Sequence, residues 1–507
     1  MEKIRKLEKL YNESNYSLSS EEDNGEGRVL IIYTGGTIGS MPRDRDDKSS
    51  PQEVVDWEEF FKNSPLLSKD SIGFCIDAYS TKPLDSCNLG PNEWVEMATV
   101  IQKSYENYEG FVILHGTDTL VYTASVLSFM LQNLGKPVVI TGAQMTYLFN
   151  VRNDGWQNLI SALMVANPKF SNIPTIPEVC VYFGGRIMRG NRCRKINATG
   201  FNAYDSPNFK PLALLGDYIE IDEDLLIEPA KQTLRARLNL NTNVVALTFF
   251  PGLQNSPMLE NILRDESLKG IVLLSYGSGN IPTDDHVLKM INEAHKRKVV
   301  LLNVTQTGGG RVELGMYDTS AKLIDVGVIS GVDITPESAL VKLMVLLGDE
   351  DLSFEELEYN AQIDLAGEQS ISIYTTKFKK SEAQSLHKER NRIRIPASNI
   401  QGHSAIRNQK VDRIMIRLLN GKLKRIDKKA KIQVYADLNS GEELNKRNLL
   451  GELIRQTDQV DPSVIIFDIT KGAKEKLLER TSLTLVIDES VANLEWTDIE
   501  LVIYEYK

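Results

Sequence analysis

Three short segments carry the residue types that could do covalent chemistry. The first is Thr34-Gly35-Gly36-Thr37-Ile38-Gly39. Glycines let backbone approach a ligand closely, and Thr37 supplies a hydroxyl beside them. A phosphate loop lacks support here, because the Gly-Lys-Ser/Thr ending and the three-glycine dinucleotide spacing are both missing. A plain tight turn is the other reading. The second segment, His115-Gly116-Thr117-Asp118-Thr119, sets a hydroxyl next to a carboxylate. It also reads as a helix start with Thr117 or Asp118 as N-cap, and the two readings are compatible, since helix N-termini bind anionic groups. His115 reads as a packing or hydrogen-bonding residue. The third is Arg189-Gly190-Asn191-Arg192-Cys193-Arg194-Lys195. A basic run is commonly a solvated face. A partly buried lysine among cations can instead shed its proton near neutral pH and act as a base, which Arg192 and Arg194 would favour if they lie close. Together Thr37, Thr117, Asp118 and Lys195 fit a hydroxyl nucleophile activated by an adjacent base. No Gly-x-Ser-x-Gly elbow is present.

These segments follow runs that read as strands. Arg28 to Tyr33, Gly110 to Leu114, Pro137 to Ile140 and Val179 to Phe183 are short and continuously apolar, as expected for strands of a parallel sheet buried on both faces. Thr119 to Asn133 has helical spacing between two of them. The alternation predicts an α/β fold, and a Gly-rich turn at the carboxyl end of such a strand is where these sheets place ligands. A second series follows: strands at Val244 to Thr248, Gly270 to Leu274 and Val299 to Leu302, with helices at Asp284 to Lys296 and Pro336 to Leu347. The last helix has Thr335 as N-cap and Pro336 at its first position.

A chain of 507 residues exceeds one ordinary core. The lobe boundary falls between about Asn208 and Asn243. From Lys377 to Lys431 there are 17 lysines and arginines against 4 acidic residues, which reads as a basic linker. Alternating runs then resume at Arg413 to Ile416, Ile432 to Tyr435, Ser463 to Phe467, Leu483 to Ile487 and Leu501 to Tyr506. With a helix expected over Glu442 to Arg455, they predict an additional α+β or mostly-β domain. The expected division is a polar segment (1–27), two α/β lobes (28–225 and 226–370), the linker (371–410) and that domain (411–507).

The net charge of −11 argues against a nucleic-acid partner for the whole molecule. Cys75, Cys87, Cys180 and Cys193 show neither close pairing nor ligand spacing and read as free thiols. The five histidines form no metal-type cluster, so no metal or other cofactor is expected. No run suits a signal peptide or a membrane span, and a cytoplasmic protein is expected.

The segments YTGGTIG (33–39), GFVILHGTDTLVYTASVLSFMLQNLGKPVVITGAQ (110–144), RGNRCRK (189–195), SYGSGN (275–280) and GVISGVDITPESALVKL (327–343) resemble the cytoplasmic, type I L-asparaginases. The similarity runs from about Arg28 to Glu368. It implies a two-lobed fold, a larger N-terminal α/β lobe and a smaller C-terminal one. It implies hydrolysis of L-asparagine, no cofactor, and a homodimer or homotetramer with sites at a subunit interface. By position it makes Thr37 the nucleophile and Thr117, Asp118 and Lys195 the second catalytic group. Asp118, with Gly36, Asp85, Ser86, Gly116 and Thr117, would hold the substrate, and Asn280 would be donated by the neighbouring subunit. Tyr317 falls where some members carry a tyrosine near the nucleophile. A glutamine-dependent tRNA amidotransferase subunit shares both threonine motifs. A non-catalytic scaffold on the same fold is the alternative outside enzymology.

Overall fold

The computed structural model describes residues 16–17, 25–44, 46–47, 50–64, 67–146, 152–315 and 318–379, and beyond these 392–396, 411–419, 422–423, 430–436, 449–455, 464–470, 482–487, 494–495 and 498–506. Two compact units form. The first runs to Thr242 and adds Glu337–Glu350 and Leu365–Glu368; the second holds Asn243–Pro336, Asp351–Asp364 and the chain from Gln369.

The first unit is built on a nine-stranded sheet. Its strands are β1 (Tyr16–Ser17), β2 (Arg28–Gly35), β3 (Cys75–Leu84), β4 (Gly110–Leu114), β5 (Val138–Thr141), β6 (Val179–Phe183), β7 (Arg186–Arg189), β8 (Ala213–Leu215) and β9 (Ile219–Ile221). Their spatial order is β1-β3-β2-β4-β5-β6-β7-β8-β9. The centre, β3-β2-β4-β5-β6, is parallel. Burial explains why β2 reads as an unbroken apolar run. Leu30 and Ile32 enter one core, while Val29, Ile31 and Tyr33 enter the other. Each fully buried aliphatic side chain of this kind contributes about 1.5–3 kcal/mol. The first core takes helices α1 (Pro91–Ser104) and α2 (Leu120–Met130), and the second takes α3 (Gly155–Ala166).

In the second unit β10 (Val244–Thr248), β11 (Gly270–Ser275), β12 (Val300–Thr305) and β13 (Val328–Ser330) form a parallel sheet. Helix α4 (Asp285–Lys296) packs on it, capped by the Asp284 side chain. Helix α5 (Pro336–Leu346) begins at the expected proline, yet from Glu337 it belongs to the first unit, where Val341 and Val345 join the first core.

The described elements beyond residue 370 are almost entirely strands. Ile371–Lys379, Asp498–Tyr506, Val411–Leu419 and Val464–Asp468 make one antiparallel sheet. Arg392–Pro396, Ser482–Ile487, Ala430–Ala436 and Leu449–Arg455 make another. The helix expected over Glu442 to Arg455 is corrected: Leu449–Arg455 is a strand paired with Ala430–Ala436, and 442–448 lie outside the described residues. A short apolar run cannot by itself tell strand from helix, and tertiary pairing decided it. The stretch read as a basic linker carries the strands Ile371–Lys379 and Arg392–Pro396. In the first, Ile371 and Ile373 are buried against Val332, Met415, Val502 and Tyr504. Lys377 follows on the same side of this strand, exposed, with its Nζ 3.5 Å from the carboxylate of the buried Glu500.

Candidate active site

The strand registers bring two of the chemical segments together. Tyr33 on β2 lies opposite Leu114 on β4, so both chains leave the sheet at the same carboxyl edge. The Thr34 hydroxyl donates to the Leu114 carbonyl (2.9 Å), tying the exits. Beyond them the two backbones touch. A Cβ on Gly36 would fall 2.3 Å from the Gly116 Cα, and Gly36 also holds φ +81°. A Cβ on Gly116 would fall 2.7 Å from both Cβ and Oγ of Ser86. No other residue type fits this crossing without displacing backbone.

Ser86 arrives from β3. The Gly36 N–H donates to the Leu84 carbonyl (3.1 Å). The buried Ser86 Oγ accepts from the Asp118 N–H (3.3 Å), and its carbonyl accepts from the Thr119 hydroxyl (2.7 Å). Gly36, Ser86, Gly116, Thr117 and Asp118 therefore share one spot. Asp85 precedes Ser86 and is exposed. Thr37 opens the short 3-10 turn Thr37–Gly39 and is half-buried.

Thr117 and Asp118 sit in a turn ahead of α2. Thr119 is the N-cap and no side chain caps the helix, so capping by Thr117 or Asp118 is excluded. Their side chains instead meet Lys195. Its Nζ lies 2.9 Å from Thr117 Oγ1 and 2.7 Å from Asp118 Oδ1. The Lys195 side chain is 18% exposed and that of Asp118 65%, so the carboxylate opens outward while the amine is tucked behind it. Lys195 is carried on a two-residue ladder, Arg194–Lys195 against Tyr204–Asp205. The Tyr204 hydroxyl donates to the Thr117 carbonyl. Burial holds the Tyr204 phenol well above its ordinary pKa, with the Asp118 charge adding to this, so it stays a donor.

The arginines flanking Lys195 are engaged elsewhere: Arg194 with Glu337 (3.1 Å) and Arg192 with the Glu368 carbonyl (2.8 Å). The charged group in contact with the Lys195 amine is Asp118.

His115 is fully buried, and its partners fix its state. Nδ1 lies 2.7 Å from the Gly116 carbonyl, which can only accept, so Nδ1 carries the proton. Nε2 then accepts from Thr123 (2.8 Å), whose oxygen receives the Trp94 N–H (2.9 Å). Burial lowers the ring's pKa to about 4, against the Gly116 hydrogen bond. A neutral, non-catalytic imidazole bracing the Gly116 peptide is the result. Sequence reasoning did not find Trp94, Thr123 or Tyr204, whose relevance exists only through partners distant in the chain.

Asn280 belongs to the second unit. It bridges Tyr276 through backbone, and its Oδ1 accepts from Thr319 (2.7 Å). Tyr317 lies outside the described residues. No disulfide joins the four cysteines, and three of them are buried. No helix among the described residues is long and apolar enough to cross a membrane.

A parallel sheet whose carboxyl edge presents two threonine turns, with a lysine bridging the second, defines the class. The chain matches the family models for the N-terminal asparaginase domain over residues 28–226 and the C-terminal glutaminase/asparaginase domain over 243–359, and it belongs to the asparaginase family, hydrolases acting on amide bonds. Among its relatives, L-asparaginase 1 of Escherichia coli is 37% identical over 350 residues, covering 67% of this chain and 97% of that protein. The 60 kDa lysophospholipase of Mus musculus is 34% identical, over 68% of this chain and 63% of its own length. The crystal structure of L-asparaginase I from Vibrio cholerae superposes with a TM-score of 0.60 at 36% identity, over 68% of this chain and 99% of its own.

Proposed function

We propose that this protein is an L-asparaginase that hydrolyses L-asparagine to L-aspartate and ammonia, with threonine hydroxyls as its reactive groups and no cofactor. The observation that carries the reading is Lys195 Nζ between Thr117 Oγ1 and Asp118 Oδ1, at 2.9 and 2.7 Å.

In this reading the outward-facing Asp118 carboxylate takes the substrate α-ammonium, and Asp85-Ser86 take the rest of the α-amino acid head. Fixing the head removes much of the entropic barrier to attack on the side chain. Thr37 Oγ attacks the amide carbon, and backbone N–H donors stabilise the oxyanion. The C–N bond breaks, and ammonia leaves with the proton that the Thr37 hydroxyl gives up. Water then attacks the acyl-Thr37 ester; Lys195, through Thr117, takes its proton and returns it to the Thr37 oxygen, which recovers its hydroxyl as aspartate departs. Asn280 completes the pocket from a second copy of the chain, in a homodimer or homotetramer. Tyr317 joins the catalytic set on the family resemblance alone. Cytoplasmic residence is part of the same reading.

A coupled ammonia assay on the purified chain, with asparagine and glutamine over a concentration range, tests the reading. Ammonia from asparagine with equimolar aspartate is expected, abolished in Thr37→Ala. Release from glutamine alone would assign the site to an amidotransferase-type glutaminase instead. No release from either amide would leave a non-catalytic scaffold.

A further inference from the structure

Lys195 has little local support. Its ladder is two residues long, and the 3-10 turn leading into it, Gly190–Arg192, has no side-chain cap. Nearby contacts, such as the Ser206 hydroxyl on the Arg192 carbonyl (3.2 Å), are joined by others from much later in the chain, yet within the same compact unit.

Glu337, in the first turn of α5, grips Arg194 next to the lysine (3.1 Å). Further along α5, Lys342 places its Nζ 2.6 Å from Oε1 of Glu368, both side chains being 0% exposed. Desolvation opposes the Glu368 charge, but Lys342 and backbone N–H groups outweigh it and hold the carboxyl below its ordinary pKa. The carboxylate accepts from the N–H groups of Leu365 (3.0 Å) and Ala366 (2.7 Å), folding 365–368 into a tight strap. The strap's carbonyls face the turn. Ala366 accepts from Asn191 Nδ2 (2.7 Å) and Glu368 from Arg192 Nη1 (2.8 Å). Gly367, at φ +80°, passes so close to Arg189 that a Cβ there would lie 2.6 Å from its Nη1.

We infer that Glu337 and the buried Lys342–Glu368 pair are positioning residues for Lys195: α5 holds the turn directly through Arg194 and indirectly through the 365–368 strap, keeping Nζ in reach of Thr117 and Asp118. This rests on Lys195 being the base of the proposed reaction. A buried ion pair is a poor source of net stability and is better placed to enforce one geometry. Catalytic groups demand such enforcement, because about 1 Å of misplacement can cost on the order of a hundredfold in rate.

The test uses the full-length chain and the ammonia assay. Glu337→Gln, Arg194→Met, their double variant, and Lys342→Met combined with Glu368→Gln are compared with Lys195→Met, each with its Tm. In the paired variant the glutamine keeps an acceptor for the strap N–H groups and no lone charge remains buried. The expected result is a fall in kcat on the order of tenfold, with KM within about twofold of the parent, at temperatures where each variant is folded. Loss in the Glu337/Arg194 double variant should not exceed that of the worse single, because both act on one contact. Unchanged kcat in Glu337→Gln and in the paired variant, alongside an inactive Lys195→Met, would overturn the positioning role and leave the base intact. An active Lys195→Met would remove the base itself. Additive losses, or a change confined to KM, would also overturn the positioning role.

Discussion

Titrating His115 gives an experiment whose size follows from its surroundings. The ring is fully buried with its pKa lowered to about 4, and it is bonded as a donor to Gly116 and as an acceptor from Thr123. In the unfolded chain the same ring titrates at about 6.5. Between those values the unfolded state binds the extra proton and the folded state does not. Stability from this residue is therefore complete above about pH 6.5 and is lost as the pH falls toward 4. At about 1.36 kcal/mol per pH unit the interval is worth about 3 kcal/mol, of which about 2 kcal/mol is gone by pH 5. His115→Asn keeps a donor for the Gly116 carbonyl and does not titrate. Urea unfolding of the parent and this variant, followed by tryptophan fluorescence at pH 7.5 and 5, isolates the residue, because every other ionisable group is common to both. Trp57, Trp94 and Trp156 all lie in the first unit and report on it. The variant should be the less stable at pH 7.5, and its deficit should shrink by about 2 kcal/mol at pH 5. A deficit equal at the two pH values would refute the argument.

Thr117→Val keeps the side-chain volume and removes the hydroxyl beside Lys195. Ammonia production should fall by about 10²–10⁴-fold with the circular dichroism spectrum unchanged, and normal turnover would take Thr117 out of the mechanism. Lys195→Met should match it, and wild-type kinetics there would return the lysine to a solvated face. Gly36→Ala should cost about 1–3 kcal/mol from overpacking, since its Cβ meets Gly116 backbone 2.3 Å away; an unchanged urea midpoint would show that the crossing can relax. Lys342→Met alone strands a buried carboxylate and should destabilise by about 3–5 kcal/mol, which denaturant unfolding will read.

Local pattern carried much of the architecture. The strands Gly110–Leu114 and Val179–Phe183 occupy the expected residues, because strands buried on both faces need apolar side chains throughout. Cys75–Leu84 escaped notice, though it pairs with β2 in the parallel part of the sheet. Its Asp77 is buried, paired with Arg28 (2.9 Å) and accepting from Tyr108 (3.1 Å). A polar residue whose partners sit on other elements breaks the apolar signature while satisfying the fold. The site divides the same way. Thr117, Asp118 and Lys195 were legible because glycine-rich turns and a motif mark them, and the structure brings the three together. Tyr204, Glu337 and Glu368 act through contacts across long stretches of chain, and nothing near them in sequence announces it.

The passage of α5 and the 365–368 strap into the first unit also sets an order of events during synthesis. The ribosome delivers Thr242 long before Glu368, so the first core must wait for Val341 and Val345. That delay is on the order of ten seconds at ordinary elongation rates. Through that interval the nascent lobe shows an open apolar face, and no single cut in the gene yields it whole.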